Sequence, residues 1–253
     1  MSPVEKHNRL IDALPPHIYD GLVEQFELVP LTLGRVLHRP GETIRTLYFP
    51  LDSMISITVT MAEGKTIETG AVGNREVVGI NAFMGGSETT QTEYIVQVAG
   101  DALAIEAEPL LRAFDENKAV RDILLKYTQA MVAQISQNTG CNRVHDASQR
   151  YARWVLEVRA RMGRDDLDIT QEFVAQMLGV RRPTVTSAAA TLQQKGFIVV
   201  ERGGIRITNV QGLKAAACEC YEVLQNEYDR LLGAGHAKRI WKGSDSLHRI
   251  NSN

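Results

Sequence analysis

Between Ser53 and Met61 the chain alternates. Ile55, Ile57, Val59 and Met61 fall on one side and Ser56, Thr58 and Thr60 on the other. That period of two predicts a half-buried β-strand. Glu63-Gly64-Lys65 supplies a turn into a second strand, Thr66 to Val72, and a later pair, Tyr94 to Ala99 and Ala102 to Glu106, meets at Gly100-Asp101. Short strands separated by glycine turns predict an antiparallel sandwich or roll over roughly residues 30–107. Ahead of it, Leu10, Ile11, Leu14, Ile18, Leu22, Val23 and Phe26 keep helical spacing, interrupted by Pro15 and Pro16.

From Glu108 to about Gly140 the strand signal stops. Val120, Leu124, Tyr127, Met131 and Ile135 recur at spacings of four and three, as a long helix seeking a partner helix requires. Below Ile135 the stripe turns polar through Asn138 and Asn142. Two readings compete: a dimer seam through Leu124, Tyr127, Met131 and Ile135 with a hydrated lower end, or a helix lying on its own sandwich. The seam is favoured, because the helix leads straight into the basic part of the chain. A hinge near Asp146 opens a second helix from Ala147 to about Arg161, with Tyr151, Trp154, Val155 and Val158 on its apolar face and the polar link GRDD at its end. Past residue 212, Leu213 to Leu232 reads as helix and the last twenty residues as a loose tail. The expected units are a sensor domain at 1–107, a connecting helix at 108–145, a third unit at 146–212 and a C-terminal helix and tail at 213–253.

Residues 170–196 read TQEFVAQMLGVRRPTVTSAAATLQQKG. Val174 and Leu178 lie four apart beside the small Ala175, Gly179 permits a tight interhelical turn, and Val185, Ala188, Ala189 and Leu192 make one buried stripe. Opposite that stripe Arg181, Arg182, Thr184, Thr186 and Ser187 cluster at the helix start, where unpaired backbone donors and the helix dipole favour an anion. Pro183 costs little in a first turn. A packed hairpin has no use for two arginines and short hydroxyls on its exposed first turn; a helix entering a major groove has. Phe197 to Glu201, the turn Arg202-Gly203-Gly204 and Ile205 to Thr208 then form a hairpin with Arg202 and Arg206, which reads as the wing of a winged helix-turn-helix. The expected DNA-binding set is Thr170, Arg181, Arg182, Pro183, Thr184, Thr186, Ser187, Arg202 and Arg206.

Charge sharpens the division. The formal net charge is -2, but residues 1–145 carry 12 basic against 18 acidic groups, residues 146–210 carry 10 against 7, and residues 211–253 carry 6 against 5. Only the middle stretch is suited to approach phosphates. At 253 residues and 44% hydrophobic content the chain can bury a substantial core, and two domains are expected. The N-terminal MSPVEKHNRLIDALPP has no apolar signal core and no run of about 18 apolar residues occurs, so the expected location is the cytoplasm, without a membrane partner.

These residues resemble the Crp-Fnr superfamily of bacterial transcription regulators. DIT, QEFVAQMLGVRRPTV and the GG-centred wing carry the resemblance, supported by HRPGETIRTLYF and HDASQRYARWVL, and it spans roughly residues 20–212. It implies an α+β chain with a jelly-roll sensor domain, a long dimerisation helix and a winged helix-turn-helix. The implied partners are a second copy of the chain, double-stranded DNA carrying an inverted repeat, and RNA polymerase if the protein activates. Half-sites would lie about 10–11 base pairs apart. A candidate effector pocket follows at Gly79, Ile80, Asn81, Thr92 and Ser136, for an unknown small molecule or none.

Two departures matter. Cyclic-nucleotide binders of the family hold the ribose and phosphate with a GEL segment and an RS pair, whereas EVVGINAFMGGSETTQTEY keeps Gly79, has Ile80 at the Glu position, and offers no Lys or Arg between Arg75 and Arg112. A buried cyclic phosphate without a cation is costly, so cAMP binding of the usual kind is not expected. In the reader, Arg182 matches a base-contacting position, but Pro183 stands where many relatives have Glu and Ser187 where many have a second Arg, which changes the bases preferred.

Other classes fit less well. A jelly-roll metalloenzyme needs clustered histidines, yet only His38 lies in the roll; His7, His17, His145, His236 and His248 are scattered. No phosphate loop or nucleophile triad stands out, so no catalysis is expected. Cys141, Cys218 and Cys220 contain no CxxC pair, and the last two, two apart in a predicted helix, would point to different faces, so no metal or cofactor is expected. A protein-interaction module using the long and C-terminal helices is the remaining alternative.

Overall fold

The structure, a computed structural model, describes residues 6–64, 66–84 and 92–233. The expected tail after Gly233, with His236 and His248, lies outside the described residues, as does 85–91 of the expected effector segment. Helices α1 (Arg9–Ala13) and α2 (Pro16–Leu22) precede a sandwich of β1 (Glu27–Leu31), β2 (Val36–His38), β3 (Thr46–Pro50), β4 (Met54–Thr60), β5 (Thr66–Val72), β6 (Glu93–Val98) and β7 (Gly100–Glu106). One sheet has the order β1-β7-β3 and the other β2-β6-β4-β5, with antiparallel neighbours throughout.

The turn at Gly100-Asp101 therefore does not close a hairpin: β6 and β7 lie in opposite sheets. Asp52 makes this corner, its Oδ1 accepting from the Asp101 amide at 2.7 Å. A Cβ on Gly100 would stand 2.5 Å from the Asp52 carbonyl oxygen, so only glycine admits the approach.

Helix α3 (Ala107–Glu116) and α4 (Lys118–Val144) replace the single helix expected after Glu108. Asn117 breaks it, its side chain capping α4 by accepting from the amides of Ala119 and Val120. Helix α5 (Ala147–Met162) starts at Asp146, whose carboxylate forms a reciprocal capping box with Gln149. Then come β8 (Asp166–Leu167), α6 (Gln171–Leu178), α7 (Arg182–Gln194), β9 (Ile198–Glu201), β10 (Gly204–Ile207), α8 (Val210–Ala216) and α9 (Cys220–Leu232).

Helix α9 turns back onto α4 and the sensor core. Tyr228, Leu231 and Leu232 join the cluster of Leu124, Tyr127 and Met131, and the Gln134 amide donates to the Tyr228 hydroxyl at 3.1 Å. This corrects the expected seam. Leu124, Tyr127 and Met131 are 2%, 0% and 7% exposed within one chain, and the Tyr127 hydroxyl donates to the Val77 carbonyl, so these side chains are not available to a second copy. The helix lies on its own sandwich, and of the four expected seam residues only Ile135 stays exposed.

Strand β4 is also more buried than alternation predicts. Met54, Ser56 and Thr58 are covered as fully as Ile55 and Ile57, because α5 and α6 pack on that face. Met54, Ala71 and Val98 share a core with Trp154, Val155 and Met177, and the Ser56 hydroxyl lies 3.5 Å from the Met177 sulfur. The interface also holds buried charge. Glu76 pairs with Arg75 at 3.2 Å and Arg161 at 3.1 Å; Glu157 pairs with Arg153 at 2.5 Å and Arg161 at 3.4 Å. Burial alone would raise the Glu157 carboxyl, but Arg153 and Arg161 hold it below its ordinary value.

Among the described residues no basic group stands at ion-pair distance from Glu68. Although the residue is only part-buried, its carboxyl is enclosed, and desolvation pushes it from 4.5 up to about 7 against the Ser56 hydrogen bond, with Glu157 adding repulsion. Between those values the folded chain keeps a proton that the unfolded chain has released. The contribution to stability is full below pH 4.5, falls as pH rises, and is lost above about 7. Glu68→Gln is expected to remove this slope, read as the urea midpoint against pH.

Candidate nucleic-acid interface

Thr170 opens α6, its hydroxyl oxygen accepting from the Phe173 amide at 3.2 Å. Val174, Ala175, Met177 and Leu178 turn inward, and Gly179 ends the helix in the left-handed region at φ 63°. From α5, Arg150 donates to the Leu178 carbonyl at 2.5 Å, fixing the end of α6 to the central helix. Two residues past Gly179, Arg181 caps α7 through its backbone alone: Pro183 brings no N–H to the first turn and the Thr184 amide donates to the Arg181 carbonyl at 2.9 Å, so what this turn offers an anion is the arginine side chains and the helix dipole.

Val185, Ala188, Ala189 and Leu192 bury the inner stripe of α7. Arg181, Arg182, Pro183, Thr186 and Ser187 are exposed, while Thr184 is half-buried. Arg181, with Gly64 and Thr66 of the sensor, lines a recess on the turn side; Arg182, with Gly203 and Gly204 of the wing, lines a groove of about 460 Å³ on the other. An exposed pairing at 3.7 Å leans Arg182 toward Glu172, which such geometry holds only weakly. Thr186 donates to Gln171 Oε1 at 2.8 Å, so Gln171, which the periodicity gave no reason to single out, sets the hydroxyl's direction.

Strands β8, β10 and β9 form the wing sheet in that order, and Arg202 is exposed at its turn. Arg206 is not free as expected: Asp166 holds its Nε at 2.7 Å and Glu201 its Nη2 at 2.8 Å. Two carboxylates beside it oppose a phosphate, so this residue serves the sheet.

Of the expected effector residues only Asn81 and Thr92 come together, both at the Tyr94 hydroxyl. Ile80 is buried in the sandwich core, Gly79 packs against Leu47 and Ile44, and Asn81 accepts from the Tyr94 hydroxyl at 3.0 Å. Thr92 is half-buried and Ser136 stands exposed on α4. Tyr127 and Gln134 occupy the face of α4 that packs on the roll, and Ser136 points away from it.

An exposed, uncapped basic first turn beside a wing is the geometry of a groove reader, and residues 149–216 match the family model of the Crp-like helix-turn-helix domain. The chain therefore carries a Crp-like helix-turn-helix domain. The chain is 22% identical over 216 residues to the CRP-like cAMP-activated global transcriptional regulator of Mycobacterium tuberculosis, covering 82% of the chain and 96% of that protein. Two solved structures share its fold. FixK2 from Bradyrhizobium japonicum superposes with a TM-score of 0.66 at 14% identity, over 76% of this chain and 98% of that one. The c-di-GMP responsive global regulator CLP of Xanthomonas campestris gives 0.61 at 14% identity, over 76% and 99%.

Proposed function

We propose that the chain acts as a cytoplasmic homodimer that reads an inverted repeat in double-stranded DNA and is not gated by cAMP. The observation that carries this reading is the start of α7, where Arg181, Arg182, Thr186 and Ser187 stand exposed at the positive end of the helix. Arg suits guanine edges or phosphates, and the short hydroxyls let the helix end come close to the bases. Arg202 reaches the flanking backbone from the wing, and contact with RNA polymerase follows if the protein activates.

A dimer needs an apolar face that the monomer leaves open. Leu125, Val132 and Ile135 on α4 are 50%, 56% and 37% exposed. Their spacings of seven and three keep them on one side, opposite the residues spent on the sandwich. Against cAMP stand the absence of Lys and Arg from residues 76–111 and the packing of Gly79 and Ile80. Similar regulators carry names that cite different nucleotides, cAMP in one and c-di-GMP in another, so the shared fold does not choose an effector.

Selection from a random duplex library at about 150 mM salt tests the reading, since non-specific phosphate binding is suppressed at that salt. An enriched inverted repeat with half-sites about 10–11 base pairs apart is expected. Enrichment of single half-sites overturns the dimer, and no enrichment with or without added nucleotides overturns the reader.

A further inference from the structure

The chain contains three cysteines, and all three converge at the hinge. Cys141 lies in the last turn of α4 and His145 is its C-cap, one helical turn further on the same face. Cys218 and Cys220 were expected on opposite faces of one helix. Instead the chain breaks between α8 and α9, leaving Cys218 in the connection and Cys220 at the first position of α9, and both sulfurs turn to the same point.

The four ligand atoms lie within 4.8 Å of one another. Cys141 Sγ is 3.6 Å from Cys218 Sγ, and Cys220 Sγ is 3.6 Å from His145 Nδ1. A tetrahedral zinc with bonds of about 2.3 Å to sulfur and about 2.0–2.1 Å to nitrogen has sulfur–sulfur edges near ~3.8 Å and sulfur–nitrogen edges near ~3.6 Å. Two of the six edges thus already stand near their metal-bound lengths, and the rest need only a small contraction.

The surroundings suit a metal better than plain packing or a disulfide. Packing three thiols in apolar surroundings would not bring an imidazole nitrogen to them, and a single disulfide would leave one thiol and the imidazole without a role. His145 Nε2 lies 3.1 Å from Glu219, the carboxylate–histidine relay that turns Nδ1 toward a metal. The Gln137 amide donates to Cys220 Sγ at 3.0 Å, as backing for a thiolate. Zinc with three thiolates and a neutral imidazole carries one net negative charge, and the guanidinium of the buried Arg153 acts on both Cys141 and Cys218. The cysteines are 1%, 4% and 0% exposed, which closes the site to solvent.

We propose that Cys141, His145, Cys218 and Cys220 bind one zinc(II) ion as a closed tetrahedral structural site. Binding displaces three thiol protons to solvent and leaves no open coordination position, so the ion has no catalytic role. Its place gives its effect: it fastens the α4–α5 hinge to the α8–α9 junction, and so joins the winged helix to the helix that packs on the sensor. The inference stands on this geometry and does not depend on DNA binding.

The test uses the full chain purified under reducing, chelator-free conditions. Elemental analysis is expected to give one zinc per chain, and Cys220→Ser and His145→Ala to give well under half an equivalent. No other cysteine exists to blur a thiol titration. The native chain is expected to expose no fast-reacting thiol, and three after a strong chelator. Cobalt(II) added to the stripped chain should produce the visible bands of a tetrahedral thiolate site. Iron with acid-labile sulfide, a Cys141–Cys218 disulfide in the freshly isolated chain, or a wild-type chain that neither carries zinc nor takes it up would overturn the proposal. Because the wild-type measurements stand alone, a variant that fails to fold does not blunt the test.

Discussion

Arg161→Ala is expected to lower the stability of the folded chain by about 3 kcal/mol, the lower end of the range for removing one partner from a buried ion network. Arg161 is fully buried between two carboxylates, Glu76 from the sensor domain and Glu157 from its own helix. Without it the two acids remain in a low-dielectric interface with one guanidinium each, Arg75 for Glu76 and Arg153 for Glu157. Those remaining partners keep the cost from the upper end. For a chain of this size the loss corresponds to roughly 10 °C in Tm. Adding Glu76→Gln should recover part of it, because the uncompensated charge is then gone. If the double variant is no more stable than Arg161→Ala alone, the cost lies in packing, since the arginine stem also fills the space beside Gly73.

The same network shows why parts of the fold were readable from sequence and others were not. Arg153, Glu157 and Arg161 fall at i, i+4 and i+8 of α5, a spacing that on an exposed helix describes a solvated ion-paired face. Here Arg75 and Glu76 arrive from a loop far away in sequence and complete the charge balance, so the face is buried. Periodicity reports which residues share a face but not what covers it. That is also why Leu124, Tyr127 and Met131 read as a dimer seam and pack against their own sandwich and α9. The alternation of β4 was correct as a strand and incomplete as a burial pattern, because the second domain covers its polar side. By contrast, the helix-turn-helix was legible because its signals are local: a buried stripe, a glycine at the turn, and charge at the one place where a buried hairpin would not keep it. The Cys141–His145 spacing of four was visible too. What concealed its partners was the assumption of one helix across residues 213–232, which put Cys218 and Cys220 on different faces.

Arg181→Ala together with Arg182→Ala is expected to have the largest effect on DNA binding, and the two single variants should differ in kind. Arg182 faces the groove shared with the wing, where a fork of donors can meet a guanine edge. A bidentate base contact is worth about 1–3 kcal/mol, and a dimer makes it twice, so Arg182→Ala should weaken a selected operator at least about 30-fold. The loss should shrink to a few-fold on unrelated duplex, because base readout is what has been removed. Arg182→Lys keeps the charge without the fork and should restore the salt dependence but not the base preference. Arg181 sits on the other side of the turn, where a phosphate is the fitting partner. Its alanine variant should weaken all duplexes alike and reduce the slope of log affinity against log salt by about one for each half-site. Glu172 sharpens the distinction: it leans on Arg182 in the free chain, so Glu172→Gln should strengthen binding modestly if Arg182 must leave that carboxylate to reach the base. Equal losses on every duplex for both arginines would make the first turn of α7 a phosphate clamp, and sequence would then have to be read by Thr186 and Ser187 alone.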